Sequence, residues 1–228
     1  TNESGTDTKT LVITVAQANQ VITFNTLSGK TYGDASFSLN GTSTSGLALT
    51  YSSSNTAVAT ISGNTVTIVG AGTTSVTASQ SGDANYFAAT DVSQDLVVAK
   101  ANQTITFNTL SDKNDTDGSF TLAATASSGL PVSYSSSNTS VVTISGTTAT
   151  IVAPGTTTIT ASQAGNDNYN AATSVDQSQT IINTSLVNQT ITFGPLSPVT
   201  YGDGTFTLNG TIDSSLAITY VSSRSEEH

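Results

Sequence analysis

The chain has 228 residues, no cysteine, methionine or tryptophan, and one histidine; five basic residues face fifteen acidic ones, for a formal net charge of −10. So few cations cannot neutralise a phosphate backbone or hold an anionic bilayer surface, so nucleic acid and membrane surfaces are not expected partners. Without cysteine there is no disulfide, no thiolate nucleophile and no soft-metal site, and stability must come from packing and strand pairing.

Taken in chain order, the segment 1–17 ends in Ile13-Thr14-Val15-Ala16-Gln17, which matches Leu96–Lys100 further on, and reads as the closing strand of a preceding repeat. Thr1 begins inside a pattern already under way, so the chain is expected to be an excerpt of something longer. Residues 18–100 form a first complete repeat. Within it apolar residues alternate with polar ones: Ile22 and Phe24 around Thr23, then Phe37 and Leu39, then Leu47, Leu49 and Tyr51. Val66 and Ile68, and Val76 and Ala78, continue the alternation. A period of two marks strands with one face on a core and one in water. The expected strands lie at 20–25, 35–40, 47–53, 57–61, 65–69, 74–80 and 91–98, separated by Gly, Asn and Ser turns. About seven short antiparallel strands in such a length predict an all-β fold of tandem immunoglobulin-like β-sandwiches. Residues 101–187 form a second repeat, 188–223 the opening part of a further one, and 224–228 a vector-derived tail outside fold reasoning. Ser and Thr together number 78, a composition that suits strands and turns and keeps exposed sheet faces soluble. No apolar run approaches the roughly 18 residues that cross a bilayer, so membrane insertion is not expected.

Self-comparison carries the domain reading. The run ANQVITFNTL at 18–27 recurs as ANQTITFNTL at 101–110 and as NQTITFGPL from Asn188. Residues 18–94 align on 101–177 without a gap, with 49 identities in 77 positions, at a spacing of 83 residues. The next spacing is 86, and its three extra residues fall near 183–187, in a linker. The linker around Lys100–Asn102 is too short to fold one repeat back on the other, so the repeats are expected end to end.

Ser53-Ser54-Asn55-Thr56-Ala57-Val58-Ala59-Thr60-Ile61-Ser62-Gly63, followed by TVTIVGAGTTSVTAS at 65–79, resembles the group 2 bacterial immunoglobulin-like domain. Its Gly-Thr strand is matched by Gly72-Thr73 through Ala78 and by Gly155-Thr156 through Ala161. Tyr32-Gly33-Asp34 and Tyr201-Gly202-Asp203 resemble a related group of surface β repeats, from which the second repeat departs with Asp115-Thr116-Asp117. The resemblance implies a secreted protein of the bacterial cell surface. It implies a structural role in cell adhesion, as the stalk of an adhesin of the intimin and invasin type that holds a binding tip away from the cell.

The residues offer little to catalysis. The one histidine, His228, falls in the tail, so serine or cysteine triads cannot be assembled, and no enzyme is expected. Asp34, Asp83, Asp117 and Asp203 sit in turn-like sequence, where Asp commonly bonds its own backbone. The stretch Asp112–Gly118 superficially resembles a calcium loop, but its glycine is seventh rather than sixth; it and Gly165–Asn168 read as turns. Lys30 and Lys113 occupy equivalent positions that could serve an isopeptide cross-link, but no Glu lies inside either whole repeat and none is expected. Catalytic, cofactor-binding and metal-binding residues are therefore all assigned as none. The alternative function is a glycan-binding array. Tyr86 and Tyr169 are its candidate platform, against a reading in which each ring closes the sandwich and its hydroxyl caps a loop. Expected partners are the neighbouring repeats. Head-to-tail self-association is a further one, with Leu11–Val15 of one chain added beside 188–193 of the next.

Overall fold

The computed structural model describes residues 9–185, 188–214 and 216–222. The tail at 224–228, with His228, lies outside the described residues, as does part of the 183–187 linker. The described residues form strands and turns, and no helix among them is long and apolar enough to cross a membrane.

In the first repeat the strands are β1 (Ile22–Thr23), β2 (Lys30–Thr31), β3 (Phe37–Ser38), β4 (Thr42–Ser43), β5 (Thr50–Ser53), β6 (Ala59–Ser62), β7 (Thr65–Ile68), β8 (Gly72–Ser79) and β9 (Val92–Ala99). One sheet runs β2-β9-β8-β5 and the facing one β3-β7-β6, with β1 paired to β4. The second repeat repeats the plan with β10 (Ile105–Phe107), β11 (Lys113–Asn114), β12 (Ser119–Thr121), β13 (Ala124–Ala126), β14 (Ser133–Ser136), β15 (Val142–Ser145), β16 (Thr148–Ile151), β17 (Gly155–Ser162) and β18 (Val175–Ile182). Its sheets are β11-β18-β17-β14 and β12-β16-β15, with β10 paired to β13. Register is conserved as well as order: Val76 faces Gln94 across β8–β9, and Ile159 faces Gln177 across β17–β18. The fold is thus tandem immunoglobulin-like β-sandwiches.

The seven expected strands are present, and two more join each repeat. β4 and β2 escape the alternation pattern because both are two-residue polar segments (Thr42–Ser43 and Lys30–Thr31). They are held by backbone pairing rather than by an apolar face. β2 also runs parallel to β9, with Lys30 opposite Val98 and Thr31 opposite Ala99, so the pairing is not wholly antiparallel. Leu11–Val15 form no strand; Leu11, Val12, Ile13 and Val15 are exposed. A closing strand is held by the ladder of a neighbour, and the described residues pair none with it.

Each core sits between its two sheets. Val66, Val76, Ala78 and Leu96 are fully buried in the first, with Phe24 and Leu39 beside them. Val142, Ala149, Ile159 and Ala161 fill the second. Burying a large aliphatic side chain contributes about 1.5–3 kcal/mol, so a handful of such positions sustains each small sandwich. The Ser-Ser-Asn element earns its place through a buried hydroxyl: Thr74 meets Ser53 Oγ at 2.7 Å, and Asn55 N donates to Thr74 Oγ1 at 2.9 Å. Thr157, Ser136 and Asn138 repeat that arrangement.

In the partial repeat, β19 (Ile191–Phe193) pairs with β20 (Gly210–Ile212) as β1 pairs with β4. Ile191, Phe193 and Phe206 remain exposed there, although their equivalents Ile22 and Phe24 are buried and Phe37 half-buried.

Candidate functional site: the joint between the repeats

The first repeat ends at β9, whose last carbonyl, Ala99 O, accepts from Tyr32 N at 2.8 Å. Two residues on, Ala101 forms a parallel bridge with Tyr169. Ala101 N donates to Asn168 O and Asn170 N to Ala101 O, each at 2.9 Å. Lys100 Nζ donates to Asn166 O at 2.7 Å, and Asn170 Nδ2 to Asn102 Oδ1 at 2.9 Å. The linker therefore runs directly onto the 166–170 loop of the second repeat.

That loop is built by its own sequence. Asn166 Oδ1 accepts from the backbone N–H groups of Asn168 and Tyr169, both at 2.9 Å, which turns the chain. Gly165 has φ +79°, and a Cβ there would lie 2.3 Å from Tyr169 O, so only glycine fits. The buried Gln103 staples the loop to the sandwich: its Nε2 donates to Asn170 O at 2.7 Å and Gln163 Oε1 at 2.8 Å. Gln20 does the same for the equivalent loop of the first repeat, donating to Phe87 O at 2.8 Å. The Gln of the recurring Asn-Gln pair thus has the same task in both complete repeats.

Two side-chain contacts then cross from one repeat to the other. The rings of Tyr32 and Tyr169 meet edge to face, 5.4 Å between centroids and 83° between planes. Asn168 Oδ1 accepts from Ala71 N at 2.9 Å. Next to it Gly70 is buried, and a Cβ there would press 2.7 Å from Ala57 O and 3.3 Å from Asn168 Oδ1. An aromatic pair contributes about 0.5–1.5 kcal/mol beyond its buried area, and a neutral hydrogen bond a similar net amount. Together they bias the orientation of the two repeats without fusing them. Burial follows the contacts: Asn168 and Tyr32 are half-buried, whereas Asn85 and Tyr201, at the equivalent positions of other repeats, are exposed.

The residues singled out in the sequence fall elsewhere or take other roles. Asp34, Asp117 and Asp203 each accept, through Oδ2, the amide of the residue three before, at 2.7–2.8 Å. Asp83 Oδ1 accepts from Asn85 N and Tyr86 N. In the 112–118 stretch, Asp115 takes Thr184 Oγ1 and Thr184 N on one oxygen; the hydroxyl first, then the amide, lowers its pKa from the ordinary 3.8. Lys30 Nζ lies 4.7 Å from the centre of the Phe37 ring, and Lys113 Nζ 5.8 Å from that of Phe120. Tyr169 is engaged at the joint. The loop-capping hydroxyls belong to Tyr51, Tyr134 and Tyr220, which accept from Gly41 N, Ala124 N and Gly210 N at 2.9, 2.6 and 2.8 Å. An apolar concavity in the partial repeat is lined by Ile191, Phe193, Leu196, Phe206 and Leu208, equivalents of core and core-edge positions in the first repeat, and is an unclosed core rather than a cleft.

Tyr32, Ala71, Asn168 and Gln103 carry no local signal as site residues. The usable sign was that Tyr32 and Ala71 change together in the second repeat.

No family model matches the chain, and no curated protein sequence matches it. Among solved structures it is similar to a protocadherin gammaB7 EC3-6 cis-dimer, with 12% identity and TM-score 0.32, covering 79% of this chain and 55% of that one. It is also similar to domains 1-6 of the surface layer protein SbsC, with 16% identity, TM-score 0.30, and 78% and 30% covered. A third similarity is to the D00-D0 domain of intimin, with 17% identity, TM-score 0.28, and 69% and 98% covered. The chain thus spans about half the length of the protocadherin it matches. At such scores the likeness carries no argument about this chain, whose fold is read from its own strand order and register.

Proposed function

We propose that this chain is a stalk segment of a secreted bacterial surface adhesin, a non-catalytic spacer that holds a binding tip away from the cell. The observation that carries this reading is the joint itself. The two complete sandwiches are coupled by a linker of three residues paired to the second repeat's loop, by the Tyr32–Tyr169 ring contact and by the Ala71–Asn168 hydrogen bond. Short, stitched linkers transmit orientation along a row of domains, whereas long flexible ones do not. The resemblance of the Ser-Ser-Asn and Gly-Thr elements to group 2 bacterial immunoglobulin-like repeats supports the cell-surface assignment. A polar surface rich in Ser and Thr and a net charge of −10 disfavour edge-to-edge pairing of exposed strands.

Small-angle scattering on the full chain tests the reading. A compact globule of this length has a radius of gyration of about 17 Å. A stalk segment gives a clearly larger value and an elongated pair-distance distribution. A symmetric distribution at the compact value excludes the stalk.

A further inference from the structure

The surface that receives the Asn168–Tyr169 loop is not preserved from one repeat to the next. In the first repeat it consists of the Tyr32 ring and the Ala71 N–H, with Gly70 buried beside them. At the same positions the second repeat has Asp115, Pro154 and Ala153. Asp115 has no ring to offer. Proline has no backbone N–H, so Pro154 cannot donate to an asparagine at all. Both contacts are withdrawn together, although the backbone beneath is unchanged: Gly72 has φ +142° and Gly155 φ +143°. The strands that follow are also the same length, β8 at 72–79 and β17 at 155–162.

Asp115 does something else. Its N–H donates to Ile182 O at 2.9 Å, as Tyr32 N does to Ala99 O, but its carboxylate also takes the hydroxyl and amide of Thr184, beyond the end of β18. It holds the exit segment of its own repeat, where Tyr32 reaches across into the following one. The spacing also lengthens here, from 83 to 86 residues. Further along, Tyr201-Gly202-Asp203 restores the tyrosine; its ring is fully exposed and its Asp203 makes the same turn bond as Asp34.

We infer that the end face of each repeat is a dock for an Asn-Tyr loop whose acceptance is set by two positions. The pair Tyr32 and Ala71 accepts the loop, and a face that carries Asp and Pro at those positions, as the second repeat does with Asp115 and Pro154, does not. This rests on the stalk reading and adds to it which joints carry the stiffness.

The test grafts the second repeat's face onto the first, in the full chain. Because the protein has no cysteine, Thr60→Cys and Thr143→Cys place two unique nitroxide labels on exposed positions of β6 and β15. Double electron–electron resonance then reads the distance distribution between repeats. The parent gives one narrow peak. Tyr32→Asp with Ala71→Pro broadens it by about twofold or more, as expected when a packed ring and a hydrogen bond leave a short joint. Asn168→Ala with Tyr169→Ala, made from the opposite side, gives the same broadening and keeps the test valid should the graft destabilise the first repeat. A narrow parent peak that neither double variant broadens overturns the two-position rule and leaves the stalk reading standing. A parent peak that is already broad overturns both.

Discussion

Gln179 and Leu96 occupy the same position in the two repeats, and exchanging them gives opposite effects. Leu96 is fully buried. Gln179 is 1% exposed; its Nε2 donates to Ser111 O and Thr180 O, both at 3.0 Å, while its Oε1 has no partner. An unpaired buried acceptor costs about 1–3 kcal/mol, and each bond lost from Nε2 removes about 0.5–1.5 kcal/mol. Ser111 is exposed, so water replaces its lost donor. Leu at 179 adds apolar burial in nearly the same volume, at about 1.5–3 kcal/mol relative to exposure. Gln179→Leu should therefore stabilise the second repeat by about 1 kcal/mol, a rise of about 4–8 °C in its melting temperature. Leu96→Gln should destabilise the first repeat by about 2–4 kcal/mol, since it introduces a buried amide where the core supplies aliphatic contact. Differential scanning calorimetry on the full chain reads both, as a rise for Gln179→Leu and a fall for Leu96→Gln. A loss of stability in Gln179→Leu beyond about 1 kcal/mol would refute the reasoning, since it would mean the amide is fully satisfied.

The hydroxyls of Tyr51 and Tyr134 accept the backbone N–H groups of Gly41, just before β4, and Ala124, at the start of β13, so Tyr51→Phe and Tyr134→Phe should each cost their own repeat about 1–2 kcal/mol, read by chemical denaturation. Asp115 should titrate below the ordinary aspartate value of 3.8 by carboxyl-carbon NMR, because Thr184 bonds to its charged form. Its folded pKa is depressed. Its hold on the exit segment is therefore fully present above the unfolded value near 3.8, and is lost as pH falls through the lower folded value. The intact mass should equal the sequence mass; loss of one ammonia would show that Lys30 or Lys113 had formed an isopeptide bond.

The sandwich was legible because its signals are local. Ile22 with Phe24, and Val76 with Ala78, alternate with polar neighbours and do face the core. The repeat identity then carries every such assignment forward, as when Ile159 takes the place of Val76. β2 was not legible because a two-residue strand has no period, and its parallel pairing to β9 is imposed by chain direction. The roles of the tyrosines were interchanged for a related reason. Tyr51 caps Gly41 from within its own repeat, whereas Tyr169 finds Tyr32 only across the joint, and nothing near either residue states which. Buried Gln103 ties the joint-forming 166–170 loop to its sandwich, and Gln20 the equivalent loop of the first repeat, through partners some sixty residues away that no local pattern announces.

The central claim is that the first two repeats are held as one coupled body by the joint. Residual dipolar couplings on the full chain, taken from the amides of β8, β9, β17 and β18, test it most directly. The account predicts that one alignment tensor fits both pairs of strands together. Two tensors of different magnitude, one for each repeat, would contradict it.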